Sequence, residues 1–88
     1  MRWFVYILEC ADATLYTGIT NDLTRRVQEH NESNRGARYT RARRPVTLAA
    51  SWACENRSSA SRAEYQLRQL TRAQKLALIA DPDAFEPS

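Results

Sequence analysis

The chain has 88 residues, 43% hydrophobic and 26% charged, with a formal net charge of +3. That length gives one domain with a modest core, burying roughly 60–65% of the surface its unfolded chain exposes. No apolar run approaches the ~20 residues of a membrane span, and Arg2 is not followed by a leader with a small-residue cleavage site, so a cytoplasmic protein without membrane contact is expected.

Trp3-Phe4-Val5-Tyr6-Ile7-Leu8 is an unbroken apolar and aromatic run, the pattern of a strand covered on both faces. Ala11–Thr14 is a polar break, and Leu15–Ile19 returns as a second strand, close enough for an antiparallel hairpin with Tyr6 and Tyr16 across it from each other. Thr20-Asn21-Asp22 offers helix caps, and the following helix places Leu23, Val27 and His30 on one stripe, with Arg26 and His30 projecting from one face.

Asn31 to Pro45 has little periodicity and crowds Arg35, Arg38, Arg41, Arg43 and Arg44 around Tyr39. Gly36 permits a positive φ there. Cations for a phosphate backbone and a ring for a base or sugar are what a nucleic-acid groove needs. Of the 13 basic residues only Lys75 is a lysine, and the planar arginine fork matches phosphate oxygens bidentately.

Val46 to Trp52 alternates, with Val46, Leu48, Ala50 and Trp52 on one face of a third strand. From Ser58 the spacing is helical: Ala60, Ala63, Leu67 and Leu70, then Ala73, Leu76 and Ile79 or Ala80. Thr71-Arg72-Ala73-Gln74 fits a capping box, which splits the stretch into two helices bent near Leu70. Asp81-Pro82 ends the last helix. One domain over residues 1–88 is expected, with a core over 1–80 and a loose tail at 81–88. Cys10 and Cys54 read as reduced thiols, since two Cys and one His do not complete a closed zinc site.

Val5-Tyr6-Ile7, then Tyr16-Thr17-Gly18, then an Arg and a His on the next helix resemble the GIY-YIG nuclease superfamily, in particular its small stand-alone, UPF0213-like bacterial members. The likeness continues through Gly36-Ala37-Arg38-Tyr39-Thr40 and Arg62-Ala63-Glu64-Tyr65, covering nearly the whole chain. Val5 replaces the glycine of the first motif. The later asparagine of many relatives has no clear counterpart; Gln66 is a candidate.

The resemblance implies an α/β fold: a three-stranded antiparallel sheet flanked by helices in the order β-β-α-β-α-α. It implies metal-dependent hydrolysis of nucleic-acid phosphodiesters, with DNA as the expected partner and DNA repair or recombination as the setting. Tyr6 or Tyr16 would lie beside the attacking water. A phenol with pKa near ~10 costs about 4 kcal/mol to ionise at neutrality, so a nearby cation, metal-bound water or His30 must lower that cost, or the phenol positions the water while protonated. Arg26 would stabilise phosphoryl charge. His30, with an ordinary pKa of about 6.5, could accept a proton from either tyrosine. In the family pattern Glu64 ligates one divalent ion, Mg²⁺ or Mn²⁺, and one carboxylate suffices where substrate phosphate completes the shell. Ser61-Arg62-Ala63-Glu64 also fits a capping box, the structural alternative for Glu64. Arg35, Arg38, Tyr39, Arg41, Arg43 and Arg44 form the expected nucleic-acid surface. The rival readings are a nucleic-acid-binding module without turnover and a subunit whose protein partner brings specificity.

Overall fold

The computed structural model describes residues 2–87. Its centre is an antiparallel sheet in the order β2-β1-β3, made of β1 (Trp3–Glu9), β2 (Leu15–Thr20) and β3 (Thr47–Cys54). Between β2 and β3 lie α1 (Leu23–Glu32) and the short α2 (Arg38–Arg41); α3 (Arg57–Arg68), α4 (Arg72–Ala80) and a 3₁₀ turn at Pro82–Ala84 follow. The expected order holds, with α2 added inside the arginine-rich segment. Four residues are too few to carry a helical period, and Thr40 is the one buried side chain of that turn.

The central strand is covered on both faces, which explains its unbroken apolar run. Val5 and Ile7 pack with Ala50, Trp52, Cys54 and the α3 residues Ala60, Ala63 and Leu67. Tyr6 and Leu8 pack oppositely with Cys10 and Val46, backed by Tyr16 and by Leu23 and Val27 of α1. Each fully buried aliphatic side chain, such as Ile7, Leu8 or Leu67, contributes ~1.5–3 kcal/mol.

The alternation expected in β3 breaks at a bulge. Pairing jumps from Ile7↔Ala50 to Leu8↔Leu48, leaving Ala49 unmatched. One extra residue exchanges the faces of everything beyond it. Val46 therefore joins Tyr6 and Leu8, whereas Ala50 and Trp52 face α3, and Leu48 is 43% exposed.

Asp22 starts α1 by accepting from the Arg25 backbone N–H at 3.1 Å. A reciprocal Asn56–Ser59 box starts α3, so the Ser61–Glu64 box does not form and Glu64 stands in mid-helix. The Thr71–Gln74 box starts α4 as expected. The face of α4 differs from expectation: Ala73 and Leu76 are exposed, and Leu78 joins Leu70 and Ile79 against the α3-side core. Part of the tail expected to be loose is tied down, because Trp52 Nε1 donates to the Pro82 carbonyl at 2.8 Å and Phe85 packs edge-on against the indole. Ser88 lies outside the described residues.

Candidate active site

The hairpin register pairs Tyr6 with Gly18 and Leu8 with Tyr16. The two phenols share a face but are offset by two residues instead of standing opposite. Tyr6 lies across Gly18 so closely that a Cβ there would sit 2.5 Å from its hydroxyl oxygen and 2.7 Å from Cζ. Tyr6 is 1% exposed; Tyr16 is half-buried. The Tyr16 ring stands edge-on to His30 at 5.3 Å and stacks on Tyr39 at 6.0 Å.

His30, fully buried on α1, holds the centre. Its Nε2 lies 2.9 Å from the Tyr6 hydroxyl and its Nδ1 2.7 Å from Thr40 Oγ1. The Thr40 hydroxyl donates to the Ala37 carbonyl at 2.9 Å, so its oxygen is left to accept from Nδ1–H. A longer contact of 3.4 Å from the Ala37 N–H to Nδ1 suits the other tautomer, and the two shorter bonds outweigh it. The network assigns the proton to Nδ1 and leaves the Nε2 lone pair to receive the Tyr6 proton. Burial, then the charges of Arg26 and Arg44, push the imidazole down to about 4 against a weaker opposing pull from Glu29, so it is neutral at physiological pH. Burial pushes Tyr6 up to about 12 despite the Arg26 guanidinium beside it.

Arg26 is half-buried and fixed from two sides: its Nη1 donates to Glu29 Oε1 at 2.9 Å and to the Arg35 carbonyl at 2.7 Å. Burial weakens its hold on the proton, but bonds to Glu29 and Tyr6 win and keep it charged. Gly36 brings the loop against α1, where a Cβ would meet His30 Cα at 2.7 Å and the Glu29 carbonyl at 2.8 Å. Close approach, not the expected positive φ, requires this glycine, since no described glycine has positive φ.

The arginine-rich segment divides. Arg35, Arg38 and Arg41 are exposed, and their guanidinia make no hydrogen bond or ion pair among the described residues. Arg43 is engaged internally, paired with Asp12 at 3.0 Å, bonded to the Tyr39 carbonyl at 2.8 Å and lying 3.8 Å above the Tyr39 ring. Arg44 binds the carbonyls of His30 and Ser33 at the end of α1. Tyr39 has Tyr16 on one side and Arg43 over its ring. Tyr39, Arg43 and Arg44, expected on the nucleic-acid surface, thus also hold internal contacts, by cation–π stacking for Tyr39 and Arg43 and by helix capping for Arg44.

Glu64 projects from α3 in the opposite layer, yet its charge is felt at Tyr6, where it opposes ionisation. Its carboxylate pairs with Arg68 at 3.2 Å, and Arg68 also donates to the Thr17 carbonyl at 3.0 Å. Among the described residues no group of three or more His, Cys, Asp or Glu could hold a metal. A half-buried carboxylate is a hard oxygen donor of the kind Mg²⁺ takes once or twice while keeping waters and substrate oxygens, so Glu64 fits that class of ion. Gln66 instead lines an exposed hollow with Ser58 and Tyr65. Sequence reading missed Thr40, Glu29, Arg68 and Asn31, whose amide bonds both the N–H and the carbonyl of Val46. Thr40, Arg68 and Asn31 leave no local mark, because each acts across a long separation or through a backbone group; Glu29, three residues from Arg26, reads as an ordinary surface pair on a helix.

A family model described as the GIY-YIG catalytic domain matches residues 2–77. A UPF0213 protein of Desulfotalea psychrophila is 56% identical over 88% of this chain and 70% of its own length. One of Halobacterium salinarum is 54% identical over 85% of this chain and 96% of its own. The solution NMR structure of a UPF0213 protein from Bacillus halodurans is 45% identical with a TM-score of 0.58, covering 91% of this chain and 84% of that one. An NMR structure of an E. faecalis protein is 34% identical with a TM-score of 0.64, covering 98% and 91%.

Proposed function

Because the chain belongs to the GIY-YIG catalytic-domain family, and within it to the small UPF0213 proteins, we propose that it is an endonuclease hydrolysing nucleic-acid phosphodiesters, DNA first, with one Mg²⁺ or Mn²⁺ held at Glu64. The observation that carries this reading is the buried hydrogen bond between Tyr6 and a neutral His30, with Arg26 beside the phenol.

A free Tyr6 phenolate at pH 7 would cost about five units, ~7 kcal/mol, from its value near 12. A relay to His30, itself lowered to about 4, costs about three units instead, ~4 kcal/mol. Tyr6 gives its proton to His30 Nε2, which leaves phenol lone pairs to accept from a water. As that water bonds to phosphorus, its proton passes to Tyr6 while the Tyr6 proton passes to His30, and the P–O ester bond breaks to release an alkoxide that takes a proton from solvent. Arg26, held by Glu29, the Arg35 carbonyl and Tyr6, still has donors of its five-donor fork for the phosphoryl oxygens; loss of one such donor elsewhere costs 10²–10³ in rate, ~2.7–4 kcal/mol. Glu64 would hold the divalent ion, which when bound would supply Lewis-acid stabilisation of the same charge.

The test is cleavage of labelled single-stranded, duplex and branched DNA with Mg²⁺, Mn²⁺ or EDTA. Tyr6→Phe and Arg26→Gln should each lose about 10²-fold or more, and EDTA or Glu64→Ala should stop the reaction. Activity surviving both EDTA and Glu64→Ala removes the metal. Salt-sensitive binding without cleavage under any divalent ion makes the protein a binding module.

A further inference from the structure

Beside Tyr16 lies a hollow of about 360 Å³ lined by Leu15, Tyr16, Thr17, Tyr39, Arg68 and Lys75. Past Leu15 and Lys75 it continues into a shallower depression that adds Thr14 and Arg72. Sequence reading singled out Lys75 as the one lysine but gave it no task. Three observations mark this place as built for an anion. First, Lys75 is a half-buried residue whose ammonium makes no hydrogen bond or ion pair among the described residues, and no carboxylate lines either depression. Second, the Arg68 bonds to Thr17 and Glu64 both use Nη2, which leaves donors of its five-donor fork unassigned. Third, Thr17 is 4% exposed and its hydroxyl is a buried side-chain polar atom without a partner. An orphaned hydroxyl costs about 1–3 kcal/mol and calls for a ligand or another explanation.

We propose that this hollow is a phosphate subsite, which holds a backbone phosphate of the nucleic-acid strand next to the phosphate being cleaved. Lys75 and Arg68 supply the cations and Thr17 a neutral donor. The proposal rests on the nuclease reading and extends it along the strand. Tyr16 belongs both to this wall and to the ring contact with His30, so an occupant of the hollow touches the ring that packs beside the Tyr6–His30 pair. The walls beside the cations are Leu15 and the two tyrosines, apolar surface suited to a sugar. An acidic peptide would meet the same cations but would gain little from those walls.

The experiment measures binding of a short fluorescein-labelled DNA strand in EDTA, where cleavage is silent, over a range of salt. Lys75→Ala should weaken binding several-fold and lower the slope of log affinity against log salt by about one. Lys75→Arg should restore both, and Leu76→Ala, an exposed neighbour on α4, should change neither. Thr17→Val should weaken binding a few-fold while leaving thermal stability equal or higher, the opposite of what loss of a structural hydroxyl does. An unchanged slope in Lys75→Ala, displacement of the DNA by polyglutamate as readily as by unlabelled DNA, or absence of salt-dependent binding overturns the subsite. Lys75-dependent binding without cleavage under any divalent ion sinks the nuclease reading and keeps the subsite; cleavage with a Lys75-independent slope does the reverse.

Discussion

Thr40 Oγ1 sits 2.7 Å from Nδ1 of His30, and the two side chains lie on different helices, both fully buried. Thr40 sends its own proton to the Ala37 carbonyl and so acts on His30 as an acceptor. It is a positioning residue that fixes which imidazole nitrogen faces Tyr6. Thr40→Val keeps the shape and removes the acceptor. The stranded N–H should lower stability by about 1–3 kcal/mol, and the imidazole should divide between tautomers. His30 is the chain's one histidine, so its side-chain ¹⁵N shifts read the tautomer without ambiguity. Thr40→Ser should restore tautomer, stability and cleavage together. A valine variant with wild-type ¹⁵N shifts would show that Thr40 only fills space.

The same burial sets a pH dependence. The His30 pKa falls from 6.5 in the unfolded chain to about 4 in the fold. The unfolded state therefore takes up a proton first as pH drops. The contribution of His30 to stability is complete above pH 6.5, shrinks between 6.5 and 4, and amounts to about 3 kcal/mol over that window. Tyr6, raised from 10.0 to about 12, works at the other end, its contribution being lost as pH climbs through that range. Urea midpoints across pH 4–7 should show the acid loss, and His30→Gln should flatten it. A direct NMR titration of the imidazole with its midpoint near 6.5 would contradict the enclosed neutral histidine.

The three strands and the helix break at Thr71 were legible because each leaves a local mark, an apolar or alternating run and a capping box; the meeting of Tyr6 with His30, 24 residues away, was carried by the family resemblance alone. The bulge at Ala49 was not, since one extra alanine changes the face of Val46 without changing composition. The roles of Arg43 and Arg44 were hidden for a related reason. Sequence reports that a guanidinium is present, but its partners, Asp12 and the carbonyls ending α1, come from 31 and from 14 and 11 residues away. Glu64 sits between these cases. Its position was marked, while its partner Arg68, one turn on, fits any surface helix pair.

Gly18 is dictated by the phenol lying on it. A methyl group there would sit 2.5 Å from the Tyr6 oxygen, a distance that forces one of them to move. Gly18→Ala should cost about 1–3 kcal/mol, the usual range for overpacking, and should disturb the Tyr6–His30 bond more than the sheet. Cleavage should therefore fall further than stability does. Adding Tyr6→Phe removes the oxygen at 2.5 Å but leaves Cζ at 2.7 Å, so the double variant should recover only part of the stability. Denaturant unfolding of the single and double variants measures this directly, and full recovery would mean that the hydroxyl alone made the clash.

The five arginines between Asn31 and Pro45 should separate into two groups under the same assay. Arg38 and Arg41 have exposed guanidinia with no partner among the described residues, so Arg38→Ala and Arg41→Ala should leave stability within about 0.5 kcal/mol. Each that touches a phosphate should lower the salt slope of DNA binding by about one. Arg35 should follow them, because its contribution to Arg26 runs through its backbone carbonyl, which alanine keeps. Arg43→Ala releases Asp12 and uncovers the Tyr39 ring. Arg44→Ala leaves the His30 and Ser33 carbonyls without their donor. Both should lose about 1–2 kcal/mol, the scale of charge-assisted hydrogen bonds in partly buried places. Urea unfolding and salt-titrated DNA binding on the five variants give the two readouts. If Arg43→Ala and Arg44→Ala keep full stability and lose a unit of salt slope, they are strand contacts after all and the internal ties are incidental.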